Sequence, residues 1–234
     1  MWKEQKVFTK ITSRKNEYIK RLRENPDGEI ICTGRKMLEE ALKSGCEITS
    51  ILWCEDSGEV KCDNQFVAPK DLFDYACPMK NSPGPIFTVR LKEINKTVNS
   101  AIVLENVQDP GNVGTVIRTA NALGIDAVYL VGNCASISNT KTISATMGAI
   151  FYQKILTDCL PDLPIFGAAL GDGSKDIRQV CLKNCAVAIG SEGNGLSEQM
   201  LSRCEGKIII PMTEKAESLN AAVAAAICMW EMTK

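Results

Sequence analysis

Asn106-Val107-Gln108-Asp109-Pro110-Gly111-Asn112-Val113-Gly114-Thr115-Val116-Ile117-Arg118 follows the apolar run Ala101 to Glu105, and its reading decides the architecture of the second half of the chain. The run has the composition of a strand covered on both faces. Asp109-Pro110-Gly111 then turns the chain, and a helix runs to Gly124, a residue suited to a C-terminal cap. Val113, Val116, Ile117, Ala120 and Leu123 recur at helical spacing and form the expected buried face. Thr115, Arg118 and Thr119 fall on the other side at i, i+3 and i+4, so a rigid element presents Arg118.

The same strand signal recurs at Ala127 to Val131, Pro164 to Ala169, Ala186 to Ile189 and Lys207 to Ile210. Strand and helix signals alternate throughout, which predicts an α/β fold with a mainly parallel sheet. In the first half, Glu29 to Cys32, Ser50 to Trp53, Gln65 to Val67 and Ile86 to Val89 read as strands. Gly34 to Ser44 reads as a helix with Met37, Leu38, Ala41 and Leu42 as its apolar stripe and Gly45 as its stop. Asn81-Ser82-Pro83-Gly84-Pro85 is a loop by its turn chemistry. Polar residues from Asn95 to Asn99 mark the junction, which divides the chain into 1–97 and 98–234.

At 234 residues and 45% hydrophobic composition, the chain can bury a substantial core. Its eleven cysteines include no C-x-x-C pair and no histidine accompanies them, so they read as reduced, mostly buried thiols of a cytoplasmic protein, with no metal site. No signal-peptide core is present, and Ala221 to Trp230, the longest near-continuous apolar run, is far short of the ~20 residues needed to span a bilayer. A soluble protein with no membrane partner is expected. Net charge is −1, yet residues 1–28 carry eight cations, among them Lys3, Lys6, Lys10, Arg14 and Arg23, against Glu4, Glu17, Glu24 and Asp27. Such a leader suits either a phosphate backbone or a solvated surface helix.

Two more segments carry chemistry. Gly190-Ser191-Glu192-Gly193-Asn194-Gly195-Leu196-Ser197 is a glycine-rich turn between a strand and a helix. Such turns often cradle phosphate, but Glu192 would repel a pyrophosphate, and the glycine spacing is not the dinucleotide fingerprint. A cationic or hydroxyl-bearing ligand suits it better. The third segment leaves a strand at Pro211, loops through Met212 to Glu217, and opens an alanine-rich helix with Ser218-Leu219-Asn220. Ser218 reads as its N-cap, and Leu219, Val223, Ile227 and Trp230 as its core stripe.

Taken in order, these three segments resemble the signature motifs of the SpoU family of RNA ribose 2'-O-methyltransferases, in the knotted SPOUT class. The first half resembles the small L30e-like substrate-binding domain that often precedes the catalytic domain. Glu40-Ala41-Leu42-Lys43-Ser44-Gly45 fits its pattern, while Thr33 stands where a glutamate is usual. The resemblance implies a trefoil knot in the second domain, its last helix made slim by alanines at 221, 222, 224, 225 and 226. It implies S-adenosylmethionine as cofactor, held around Gly190, Gly195, Ile210, Met212 and Leu219, with structured RNA as substrate and a homodimer that completes the site. The family assigns the base to Arg118, which a guanidinium suits poorly; here Arg118 would mainly stabilise the developing alkoxide and grip a phosphate, the proton passing to Glu192, water or a transiently neutral Arg118, while Asn112, Ser218 and Asn220 would orient the ribose, the arginine and the loops. Glu214 and Lys215 depart from the glycine that the family commonly has in that loop.

Ribosomal RNA is the first expectation for the substrate and transfer RNA the alternative. A non-catalytic RNA-binding or assembly factor of the same fold, and a nucleotide-binding oxidoreductase, are the competing readings.

Overall fold

A computed structural model describes residues 8–24, 26, 28–55, 60, 62–80, 82, 84–213 and 218–234. Lys3, Glu4, Lys6 and Asp27 of the basic leader, Asn81 and Pro83 of the predicted loop, and Glu214 and Lys215 lie outside the described residues. The chain divides into two compact units, Met1–Lys92 and Glu93–Lys234.

The first unit contains β1 (Thr9–Lys10), α1 (Glu17–Glu24), β2 (Ile30–Thr33), α2 (Arg35–Ser44), β3 (Glu47–Cys54), β4 (Gln65–Ala68), α3 (Lys70–Ala76) and β5 (Ile86–Arg90). Its sheet runs β1-β4-β3-β5-β2, with β5 antiparallel to both of its neighbours. Ile19 and Leu22 of α1 and Leu72, Phe73 and Ala76 of α3 pack with Ile31, Leu52 and Ile86 into its core. The α1 segment, read from charge alone as a leader, is thus anchored by its apolar side. The cations in and just before α1 differ in circumstance: Lys20 pairs with Glu17 and Arg21 with Glu29, whereas Arg14 and Arg23 each lie over the Tyr75 ring at 4.4 Å. Gly45 does end α2 in a left-handed cap with φ 74°, but Leu42 of the predicted stripe is exposed.

The second unit contains β6 (Ala101–Glu105), α4 (Pro110–Leu123), β7 (Ala127–Val131), α5 (Thr140–Thr146), β8 (Lys154–Thr157), β9 (Ile165–Ala168), β10 (Lys175–Asp176), β11 (Ala186–Ile189), α6 (Glu198–Arg203), β12 (Gly206–Ile209) and α7 (Ala221–Met232). Its seven strands run β10-β12-β9-β11-β6-β7-β8, every recorded pair parallel. Alternate residues of each central strand enter opposite cores, as the strand period requires. Ile102, Leu104, Val128, Leu130, Val187 and Ile189 meet the apolar faces of α4 and α7. Ala101, Val103, Ala127, Tyr129, Ala186 and Ala188 meet Met200 of α6 and neighbouring loop residues on the other side. Burial on both faces explains why these strands are unbroken apolar runs.

Local chemistry sets the ends of α4. The Asp109 side chain accepts from the Asn112 N–H, Pro110 supplies a preset φ in the first turn, and Gly124 closes the helix at φ 73°. Gly114 is where α5 comes closest: a Cβ there would lie 2.4 Å from the Thr142 carbonyl oxygen.

At α7 the structure corrects the sequence reading. The N-cap is Asn220, not Ser218, and its side-chain oxygen accepts from the N–H groups of Ala222 and Val223. The buried face is Ala221, Ala222, Ala225, Cys228, Met229 and Met232, while Val223 and Trp230 of the predicted core stripe are 47% and 57% exposed. Ala221, Ala222 and Ala225 permit close approach in the first half of the inner face, Cys228, Met229 and Met232 fill its second half, and Val223 and Trp230 turn outward. No described helix is long and apolar enough to cross a membrane.

Candidate active site

Because the strands of the second unit are parallel, the segments that leave β6, β9, β11 and β12 all emerge from the same edge of the sheet, where open α/β folds place their ligands. A cavity of about 400 Å³ opens there. Ala169 and Leu170 line it after β9, Gly190 to Glu192 and Asn194 to Leu196 after β11, and Ile210 and Met212 after β12. Ser218, Leu219, Ala221 and Ala224 close it from the start of α7. Its volume lies in the range of small-molecule sites. All five predicted cofactor contacts, Gly190, Gly195, Ile210, Met212 and Leu219, line this one cavity together with Glu192 and Ser218.

The glycine-rich segment is shaped by its own backbone. Ser191 and Gly195 form an isolated antiparallel bridge, with the Gly195 N–H donating to the Ser191 carbonyl at 2.9 Å. Gly190 passes so close beneath this bridge that a Cβ on it would lie 2.1 Å from the Gly195 carbonyl carbon. Glycine is required at 190 by that contact and favoured at 195 by a φ of +64°, whereas a Cβ on Gly193 would meet nothing within 4 Å. The loop ends at Ser197, which caps α6.

A polar triangle joins all three chemistry-bearing segments. The Asn112 amide donates to Glu192 Oε1, and the Asn220 amide donates to Asn112 Oδ1 at 3.0 Å and to Glu192 Oε1 at 3.4 Å. The Ala221 N–H adds a donor to the same carboxylate oxygen at 3.4 Å. The Glu192 charge therefore sits at the positive end of α7, where amide donors and the helix dipole favour it. Asn112 and Asn220 also line a second, shallower cavity of about 450 Å³ with Thr115, Ala222, Val223, Ala226, Ile227 and Trp230.

Of the predicted catalytic group, the fold brings Asn112, Glu192 and Asn220 into mutual contact and puts Ser218 in the cavity wall. Arg118 stands apart. It is exposed, six residues or about 9 Å of helix rise beyond Asn112, lines neither cavity, and forms no ion pair among the described residues. The sequence reading missed Leu170, which is 64% exposed at the cavity mouth, and buried Glu105, which accepts from both polar groups of Ser197. The available signal for Glu105 was a carboxylate ending an otherwise apolar strand.

The sequence profile of the SpoU rRNA Methylase family matches residues 99–230, the span that carries every element of this site. The chain belongs to the SpoU rRNA methylase family. Among its curated relatives, it is 31% identical over 215 residues to the 23S rRNA (guanosine(2553)-2'-O)-methyltransferase RlmP of Bacillus subtilis, covering 85% of this chain and 86% of the relative. In fold it is similar to the AdoMet-bound rRNA methyltransferase from Sinorhizobium meliloti, with a TM-score of 0.83 at 22% identity over 96% of this chain and 97% of that one. The SpoU methyltransferase AviRb from Streptomyces viridochromogenes gives 0.81 at 22% identity over 93% of this chain and 96% of the other. Membership of the SpoU family and the α/β fold read from the sequence are borne out.

Proposed function

We propose that this chain transfers a methyl group from S-adenosylmethionine to a ribose 2'-hydroxyl of structured RNA, with ribosomal RNA as the substrate and transfer RNA as the alternative. The observation that carries this reading is that the second and third motif segments line one cavity, while Asn112 of the first is tied to its wall through the triangle with Glu192 and Asn220. The relative named for 2'-O-methylation of 23S rRNA supports the substrate class. Apolar walls from Leu170, Ile210 and Leu219 suit an adenine ring, the turned backbone after β11 offers polar groups to ribose hydroxyls, and the Glu192 carboxylate suits a cation. The cavity residues therefore fit S-adenosylmethionine, which when bound would supply an electrophilic methyl group.

The chain must then orient the attacking hydroxyl and accommodate its lost proton. With no histidine in the sequence, we assign Arg118 to stabilising the developing alkoxide and holding the adjacent phosphate, since a delocalised guanidinium gives up its proton reluctantly and forks well onto phosphate oxygens. Glu192, already gathering three donors, offers a route for the proton, and Asn112, Ser218 and Asn220 orient the groups around it.

Two copies complete the site on this reading. The outward face of α7 exposes Val223 and Trp230 beside the triangle, and Thr115, one turn before Arg118 on α4, shares that cavity. A second copy laid on this face would bury the apolar side chains and bring an Arg118 to a donor cavity. In the same proposal the first unit, with its exposed Arg14 and Arg23, holds the RNA, the last helix is threaded in a trefoil knot, and the reduced cysteines suit the cytoplasm.

Arg118→Lys should lose most methylation while S-adenosylmethionine binding, read by calorimetry, is kept. Wild-type turnover in that variant would remove Arg118 from the chemistry. Mapping 2'-O-methyl marks in ribosomal and transfer RNA with and without the protein identifies the substrate, and no lost mark in either would overturn the proposal.

A further inference from the structure

Glu105 is the last residue of β6 and the only charged residue in that strand; it is 7% exposed. Both of its oxygens are taken by one partner: Oε2 accepts from the Ser197 N–H at 2.8 Å and Oε1 from the Ser197 hydroxyl at 2.6 Å. A carboxylate removed from water is costly unless donors replace its hydration. Here every recorded donor belongs to the residue that ends the glycine-rich segment. Ser197 is in turn occupied, its Oγ accepting from the Met200 N–H as the cap of α6.

The segment between Gly190 and Ser197 is thereby fixed at three places. Its base is closed by the contact of Gly190 with Gly195, its tip by Glu192 in the polar triangle, and its exit by Glu105. Leu196, immediately before the pinned residue, is 7% exposed and lines the donor cavity with Gly195. We infer that Glu105 is a positioning residue for cofactor binding: by taking both polar groups of Ser197, its carboxylate sets the path along which residues 190–196 form the cavity wall. The inference rests on the proposal that this cavity receives S-adenosylmethionine. It needs no contact between Glu105 and the cofactor.

Titration calorimetry of the full chain with S-adenosylmethionine tests it, using Ser197→Ala, Glu105→Gln, the double variant and Ser197→Thr. Each of the first two should weaken binding about tenfold through a lost charge-assisted hydrogen bond. The double variant should bind no worse than the weaker single one, because both remove the same link. Ser197→Thr, which keeps the N–H and the hydroxyl, should bind within about twofold of wild type. RNA affinity, measured alongside, should stay unchanged in all four. A general structural role would instead lower the melting temperature and leave the cofactor affinity of the folded protein untouched, and that result overturns the inference. Additive losses in the double variant overturn it as well. If Glu105→Gln fails to fold, the comparison of Ser197→Ala with Ser197→Thr decides alone. Absence of binding by the wild-type chain would defeat the methyltransferase reading itself, whereas wild-type binding with unaffected variants defeats only the role of Glu105.

Discussion

Gly190→Ala is the substitution most damaging to the donor cavity for its size. The added Cβ would lie 2.1 Å from the Gly195 carbonyl carbon, 2.2 Å from its oxygen and 2.4 Å from the Leu196 nitrogen, all backbone atoms that no rotamer change can move. Carbon atoms in ordinary contact sit ~3.5–4.0 Å apart, so residues 195–196 must retreat by more than about 1 Å. Overpacking of this kind costs about 1–3 kcal/mol. The displaced Gly195 N–H also loses the Ser191 carbonyl, adding about 1 kcal/mol. A combined cost of roughly 2–4 kcal/mol leaves a protein of ordinary stability folded. If the strain is relieved only by abandoning the cavity-forming path, S-adenosylmethionine affinity falls about 30- to 1,000-fold. Two neighbours calibrate the effect. Gly195→Ala meets no atom within 4 Å but must keep φ at +64°, a strain of about 1–2 kcal/mol, and Gly193→Ala meets nothing and should stay within about 0.5 kcal/mol of wild type. Calorimetry should rank the losses 190, then 195, then 193. Binding by Gly190→Ala within about threefold of wild type would refute the reasoning, as would an equal loss in Gly193→Ala.

Asn220→Asp keeps a side-chain acceptor for the first turn of α7 but sets a second carboxylate against Glu192 and removes the donor to Asn112; melting temperature should hold while methylation falls. Asn220→Ala should lose the cap as well, at about 1 kcal/mol, visible as a lower melting temperature. If the proposed dimer forms on this face, light scattering should find the wild type dimeric and Val223→Glu with Trp230→Arg a folded monomer. At Asp126, burial raises the carboxyl's proton affinity, but Lys96 at 2.5 Å and the N–H groups of Asn99 and Ser100 outweigh it and hold the pKa below the usual value. A folded-state value below the unfolded one stabilises the protein above the ordinary carboxylate range, and that stability is lost as pH falls through the folded-state value. Asp126→Asn should therefore flatten the fall in melting temperature on acidification.

The parts of this fold legible in the sequence were those whose local chemistry admitted one answer. Strands Ala101–Glu105, Ala127–Val131 and Ala186–Ile189 are legible with their observed bounds because double-sided burial makes them almost wholly apolar runs, Glu105 alone carrying a charge. The ends of α4 were equally plain, with Asp109 and Pro110 at one end and Gly124 at the other. Helix α7 was legible as a helix but not in its rotation. Apolar on nearly every side, it offers no polar stripe to set a phase, and side-chain bulk pointed to Val223 and Trp230 when the inward face is Ala221, Ala222, Ala225, Cys228, Met229 and Met232. Ser218 and Asn220 are both good caps two residues apart, and only the tertiary bonds to Asn112 and Glu192 distinguish them. Short elements such as α3, α5 and β8 carried too few periodic residues to register. The link from Glu105 to Ser197 spans 92 residues of sequence and leaves no local trace.

The donor cavity takes its final wall from Leu219, Ala221 and Ala224, more than a hundred residues after β6 begins the unit's sheet. The strands of that sheet all precede α7 in the chain, so the proposed donor cavity stays open on one side until the last helix is in place. Without the first turn of α7 that cavity lacks one wall and Glu192 lacks the Asn220 and Ala221 donors. On this reading, a chain cut before α7 would be unable to hold the methyl donor.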